Sequence, residues 1–179
     1  VRSDNGQDDA GLTTLFDQPG LLDGAYGDLP NDRRHQVKLY GAYAVTEDLT
    51  LGANLQFWTG RPINAFGYHP TDLFAQAYDS ESFFARGEPA PRGSRGRTSS
   101  YYSVDVSASY NIDIGEDQTL VVRADIFNLF NNDRVTEVNE IYDDESSADP
   151  TNPDVNPNYG LPTAWQTPRY VRFSVNYSF

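Results

Sequence analysis

The chain contains no cysteine, which excludes a disulfide framework and any thiolate metal site. It lacks long apolar runs: none approaches the ~18 residues of a membrane-crossing helix, and mean hydropathy is -0.61. Hydropathy alone therefore reads as water-soluble, an inference that fails for a membrane β-barrel, whose strands are apolar on one face only. Basic residues are scarce. Thirteen Lys and Arg stand against 26 Asp and Glu, and the net charge of -13 excludes a nucleic-acid partner, which needs clustered cations. The two histidines, His35 and His69, have no partner at metal-ligand spacing. No signal peptide is visible and the first residue is Val1 rather than Met, so further sequence is expected upstream. A length of 179 residues suits one domain.

What the chain has in quantity is aromatic side chains, 13% with twelve tyrosines, and alternation of period two. Tyr and Trp suit sites where one end of a ring is apolar and the other wet. In HQVKLYGAYAV the odd positions are His35, Val37, Leu39, Gly41, Tyr43 and Val45. The even ones are Gln36, Lys38, Tyr40, Ala42 and Ala44. After the turn at Thr46, Glu47 and Asp48, LTLGANLQF repeats the pattern, with Leu49, Leu51, Ala53, Leu55 and Phe57 on one side. The two segments read as an antiparallel hairpin. SVDVSASYNI and TLVVRADIFNLF form a second such pair through Gly115, Glu116 and Asp117, and YVRFSVNYSF is a fifth strand. The spacing predicts strands at about 33–45, 49–59, 102–112, 118–130 and 169–179. Across the five quoted segments the apolar face carries no Asp, Glu, Lys or Arg; Lys38, Asp105, Arg123, Asp125 and Arg172 fall on the other. In mid-membrane a basic residue on the lipid side costs roughly 2–4 kcal/mol. The same partition serves any half-buried antiparallel sheet.

Connection lengths alternate as well. Strands one to two and three to four are joined by a few residues, the others by about 60–100 and 131–164. Structureless loops beyond about 12–15 residues are uncommon in compact domains. In an up-and-down sheet the long loops share one rim, as in outer-membrane barrels. A soluble sandwich with two decorated loops is the rival. Residues 1–31 read as the end of another outer loop. Within Thr71 to Gly87, Thr71 and Ser80 are N-cap candidates and Gly87 a stop. PRGSRGRTSS (91–100) is basic, and YDDESSADPTNPDVNPN (142–158) strongly acidic. No repeat at solenoid spacing occurs.

NDRRHQVKLYGAY, LGANLQFWTGRPINAFG, RGRTSSYYSVDVSASYNI, LVVRADIFNLFNN and NPNYGLPTAWQTPRYVRFSVNYSF together resemble, in order, the late barrel strands of TonB-dependent outer-membrane receptors. The likeness is to the Oar-like branch and covers about residues 29–179. It implies an all-β fold: an antiparallel up-and-down transmembrane β-barrel segment, about five C-terminal strands of a 22-stranded barrel, with long extracellular loops. The plug domain and the TonB-contacting box would lie upstream. The resemblance further implies import of a scarce ligand, a place in the outer membrane of a Gram-negative cell, and contact with lipid and lipopolysaccharide. Through the plug it implies a TonB complex, and through the last strand the barrel assembly machinery. The stripe Val171, Phe173, Val175, Tyr177 and Phe179 matches that assembly signal. A passive porin-like barrel and a soluble β-sandwich binding module remain alternatives.

No Gly-x-Ser-x-Gly elbow or Ser/His/Asp set is present, so no enzyme activity, cofactor or resident metal is expected. Asp143, Asp144, Glu145, Asp149 and Asp154 lack calcium-loop spacing and read as a solvated acidic loop. Asn176-Tyr177-Ser178 fits a glycosylation sequon without consequence inside a strand. Trp58, Arg61, Arg95, Arg97, Tyr101 and Trp165 are candidate outer-rim ligand contacts. Packing, girdle and loop-tying roles compete for them. Lys38, Asp105, Arg123, Asp125 and Arg172 are expected to form a cross-strand network, on the face that the resemblance turns toward the plug.

Overall fold

The computed structural model describes residues 18–115 and 118–179. Residues 1–17 and the turn residues Glu116 and Asp117 lie outside the described residues, and with them most of the expected first outer loop. The described residues divide into two compact units, one within 33–59, 100–134 and 165–179, the other within 18–32, 60–99 and 135–164.

The first unit is a single antiparallel sheet. Its strands are β1 (Gln36–Ala44), β2 (Leu49–Trp58), β5 (Tyr101–Gly115), β6 (Gln118–Phe127) and β9 (Tyr170–Ser178), in the order β1-β2-β5-β6-β9. Spatial order follows chain order, so the sheet is an up-and-down meander. It is open: β1 and β9 are its edges. β5 runs past the expected 102–112 because Asp113, Ile114 and Gly115 keep the extended pattern. β6 stops short of the expected 130. Asn128 and Asn131 adopt φ of 49° and 53°, a left-handed backbone that no strand continues through.

Register decides which residues share a face. One row joins Gly41, Ala53, Val106, Ile126 and Val171, and the next joins Tyr43, Leu51, Ala108, Ala124 and Phe173. On the other face Tyr40, Asn54 and Asp105 are in register, Phe127 pairs with Tyr170, and a full row joins Ala42, Gly52, Ser107, Asp125 and Arg172. The apolar rows are open to their surroundings: Leu39 is 62% exposed, Phe173 75% and Val175 63%.

The sheet's loop end is fastened by Asn128, which is buried. Its backbone N–H donates to Asp105 Oδ1 at 2.9 Å. Its Nδ2 donates to the carbonyls of Asn132 (2.8 Å) and Thr167 (2.9 Å), and its Oδ1 accepts from Asn132 N at 2.9 Å. Asn131 Oδ1 accepts from Arg169 N at 2.9 Å. Asparagine tolerates positive φ and supplies both donor and acceptor, so one residue turns the chain and bonds the end of β6 to the lead-in of β9.

The second unit holds a 3-10 turn (Pro19–Leu22), a one-turn helix α1 (Leu73–Gln76), the hairpin β3 (Phe84–Ala85) and β4 (Glu88–Pro89), and the pair β7 (Val135–Val138) and β8 (Pro162–Trp165), the last residue of which, Trp165, is counted with the sheet unit. Its small core includes Leu21, Ala65, Phe66, Phe83 and Ala90, with the Phe66 and Phe83 rings 5.2 Å apart. The helix cap is Asp72, whose carboxylate accepts from Phe74 N and Ala75 N, not the expected Thr71. Ser80 is buried, its hydroxyl donating to the Asp143 carbonyl at 3.1 Å. Gly87, at φ 74°, closes the β3–β4 turn behind Arg86 at φ 50° and does not end a helix.

Asn128→Ala removes three side-chain hydrogen bonds at about 1 kcal/mol each. It is expected to destabilise the sheet by about 3 kcal/mol in urea titrations of the protein, three bonds at that value. Asn131→Ala, which loses one such bond, should cost less. Equal midpoints for both variants and the parent would refute the fastening role.

Candidate functional site

In the sheet unit the charged face is a bonded network. Asp125 is 3% exposed. Its Oδ1 accepts from Arg123 Nε at 2.8 Å, and its Oδ2 from Arg172 Nε and Nη2 at 3.2 and 3.0 Å. Arg172 also lies over the Phe127 ring, 5.2 Å from its centroid, and Phe127 stacks on Tyr170 at 4.5 Å. Asp105 accepts from Ser103 Oγ at 2.9 Å and Asn54 Nδ2 at 3.3 Å. The expected cross-strand polar cluster thus centres on two aspartates. Lys38 stands apart from it, 5.7 Å from the Trp58 ring centroid.

Of the candidate rim residues, Trp58, Tyr101 and Trp165 belong to this unit. Trp58 and Tyr101 are register partners with stacked rings 4.7 Å apart. The Trp58 indole N–H is shielded from solvent and has no acceptor among the described residues. Trp165, 57% exposed, does not join that stack.

Arg61, Arg95 and Arg97 belong to the other unit, where segments 61–63 and 95–98 run side by side. Arg61 pairs with Glu140 at 3.0 Å, with side chains 12% and 15% exposed. It also donates to the carbonyls of Thr136 and Pro62, while Glu140 accepts from Asn64 N at 2.9 Å. A buried pair persists when such extra bonds satisfy its remaining groups. Arg97 binds the Asp28 carboxylate at 2.8 Å, the Asp32 carboxylate, and the carbonyls of Asp32 and Gly60. Arg95 lies 5.8 Å from the Tyr142 ring centroid. These arginines tie loop segments together. A cleft of about 300 Å³ lies beside Arg61, Phe66, Glu137 and Glu140.

The acidic segment is only partly solvated. Asp144 is half-buried and Asp149 exposed; bonds from Ser146 and Thr151 hold their carboxyls below the usual range. Asp143, expected among them, is fully buried. Its Oδ2 accepts from Tyr68 N at 3.0 Å and its Oδ1 from Arg86 N at 2.9 Å, so one carboxylate holds two stretches of the 60–99 segment. Sequence reading missed this residue; Asp143 and Asp144 are adjacent and identical, and nothing local separates them. His69 Nδ1 accepts from Asp72 N at 2.9 Å, which leaves Nε2–H to donate to Asp23 at 3.2 Å. Among the described residues no three His, Asp or Glu side chains are grouped to hold a metal ion.

Burial pushes the Asp143 carboxyl above its ordinary value, against the lowering pull of the two backbone donors. The folded state therefore holds this proton more tightly than the unfolded chain. The group favours folding most below the unfolded carboxylate pKa of about 4, and that contribution is lost as pH rises through the raised folded value. In limited proteolysis of the protein, segments 60–99 and 135–164 are expected to resist cleavage better at mildly acidic than at neutral pH. Asp143→Asn should flatten the difference. An unchanged pH profile in that variant would remove Asp143 from the account.

Compared with known proteins, the chain is 30% identical to the TonB-dependent transporter Oar of Myxococcus xanthus, over an alignment of 211 residues that covers 99% of this chain and 19% of that relative. It therefore spans about a fifth of the length of the curated relative it matches. No family model matches the chain, and no solved structure does. The chain is an all-β protein segment similar along nearly all its length to part of a TonB-dependent transporter.

Proposed function

We propose that the chain is a C-terminal portion of the barrel wall of a TonB-dependent outer-membrane receptor, which imports a scarce ligand across the outer membrane of a Gram-negative cell. The observation that carries this reading is the charge-free face: in register, across five strands, it is uncharged and uncovered. A soluble sandwich would bury Leu39, Phe173 and Val175, and they are exposed. Hydrocarbon accepts such a face at no cost in charge.

The free edges of β1 and β9 support the same reading. In lipid an unpaired strand edge costs several kcal/mol per backbone group, so further strands must close the sheet. A plugged transporter barrel of about 22 strands provides them. The remainder of the protein would hold the plug and the TonB-contacting segment. In this scheme the second unit sits with the outer loops, and the stripe Val171, Phe173, Val175, Tyr177 and Phe179 meets lipid and the assembly machinery. Trp58, Tyr101, Trp165 and the arginines stay candidate rim contacts for the ligand, and lipopolysaccharide would surround the barrel outside. The reaction is transport, with no covalent step assigned.

Val121 and Val122 are neighbours on opposite faces of β6. In the full-length protein Val122→Arg, on the apolar face, should cost about 2 kcal/mol and reduce the heat-modifiable folded form in outer-membrane fractions. Val121→Arg should assemble like the parent. Equal behaviour of the two, or a parent that stays dispersed without detergent, overturns the membrane reading. Assembled full-length protein is also expected to bind the periplasmic domain of TonB. Assembly without that binding favours a passive pore.

A further inference from the structure

The cleft in the second unit has a fixed wall. Phe66 N donates to the Glu140 carbonyl at 2.8 Å, and Tyr142 N to the Phe66 carbonyl at 2.7 Å, so the chain at Phe66 is bonded on both sides of Ile141. Pro30 and Asn31 stand in a turn closed by Asp32 N on the Leu29 carbonyl at 2.8 Å. Between these stretches lies a volume of about 300 Å³, at the small end of ligand pockets, which run from roughly 300 to 1,000 Å³. Its apolar lining is Pro30, Phe66, Val138 and Ile141.

The polar lining is unevenly committed. It holds three charged residues, one basic (Arg61) and two acidic (Glu137 and Glu140), a net charge of -1. Arg61 and Glu140 answer each other at 3.0 Å. The Glu140 carboxylate also accepts from Asn64 N and Nδ2. Arg61 Nε and Nη1 are taken by Thr136, Pro62 and Glu140 oxygens, and Nη2 has no acceptor among the described residues. Glu137 is exposed and has neither a hydrogen bond nor an ion pair among the described residues. The side chain of Asn31, which also lines the cleft, is unbonded in the same way. Neighbouring arginines do not balance Glu137: Arg97 is held by Asp28 and Asp32, and Arg95 lies over the Tyr142 ring.

We infer that this cleft is a binding site for a small organic cation, a primary ammonium on an apolar body, with Glu137 as its charge partner. A carboxylate and an ammonium form a short charge-assisted bond, and the apolar lining removes the body of the ligand from water. Arg61 Nη2 and the Asn31 amide are left to meet a hydroxyl or carbonyl where the ligand has one. A carboxylate ligand does not fit, because the charge of Arg61 is spent on Glu140, and drawing it out of that half-buried pair would strand Glu140. Every lining residue belongs to the second unit and none to the uncharged sheet face, so the site goes beyond the receptor reading and does not rest on it.

Isothermal titration of the protein with phenethylamine tests the site, with phenethyl alcohol and 3-phenylpropionate as neutral and anionic counterparts of similar shape. Expected is saturable one-to-one binding of phenethylamine, about tenfold tighter than either counterpart, the worth of one charge-assisted bond. Glu137→Gln breaks no bond within the described residues and should abolish the preference. Glu137→Lys should pass it to 3-phenylpropionate. Glu88→Gln removes an exposed acid of the same unit away from the cleft and should bind phenethylamine like the parent. Absence of saturable binding, or binding no tighter than that of the alcohol, overturns the site. So does an equal loss in Glu88→Gln and Glu137→Gln, which would make the attraction that of the acidic surface at large. None of these outcomes bears on membrane assembly, by which the receptor reading stands or falls.

Discussion

Strand parity is the constraint on which this molecule rests. Side chains alternate at every residue, so a slip of one position in any pairing would exchange the two faces of that strand. The four pairings place Gly41, Ala53, Val106, Ile126 and Val171 in one row and Ala42, Gly52, Ser107, Asp125 and Arg172 in the next. A slip would bring Arg123, Asp125 or Arg172 onto the apolar face, at a cost of a few kcal/mol in a hydrocarbon setting. The charges therefore fix the register as firmly as the turns do. The polar network repays them on the other side, where Asp125 joins β6 to β9 through Arg172.

The second unit is stabilised differently. Its core is a few small and aromatic side chains, too little apolar area to order three separate stretches of chain. Buried polar bonds complete the work. Asp143 grips Tyr68 N and Arg86 N, Glu140 grips Arg61 and Asn64 N, and Arg97 gathers Asp28, Asp32 and Gly60. Each group is satisfied on more than one side, and each is therefore costly to remove. Segments that look like long structureless loops in the sequence are folded against one another.

The difference between the units also explains what was legible. Alternation is local, so Val37 to Val45 or Val104 to Ile112 declare a strand and its faces without any knowledge of partners. The end of β6 was not legible: the Asn-Leu-Phe-Asn-Asn run continues an apolar rhythm, and only the φ of Asn128 and its four bonds show that the strand stops there. The second unit was largely hidden because its contacts span great sequence distance. Arg61 meets Glu140 across 79 residues and Asp143 meets Arg86 across 57. Thr71 and Asp72 both have capping side chains, and a one-turn helix offers no periodicity to choose between them. Of the candidate site residues, the stacking of Trp58 on Tyr101 follows from register. The engagement of Arg61 and Arg97 in loop bonds does not.

Charge follows the same division. Residues 1–32, 60–99 and 135–164 contain 18 acidic and 6 basic side chains, a net of -12, and the rest of the chain 8 and 7, a net of -1. Nearly the whole net charge of -13 thus belongs to the part without the uncharged sheet face. A wall in low dielectric cannot carry unbalanced charge cheaply, whereas water-facing loops can, and acidic residues keep them soluble. On the sheet unit's charged face Arg123 and Arg172 stand with Asp125 and Asp105 around one recess, so the charges there match in number.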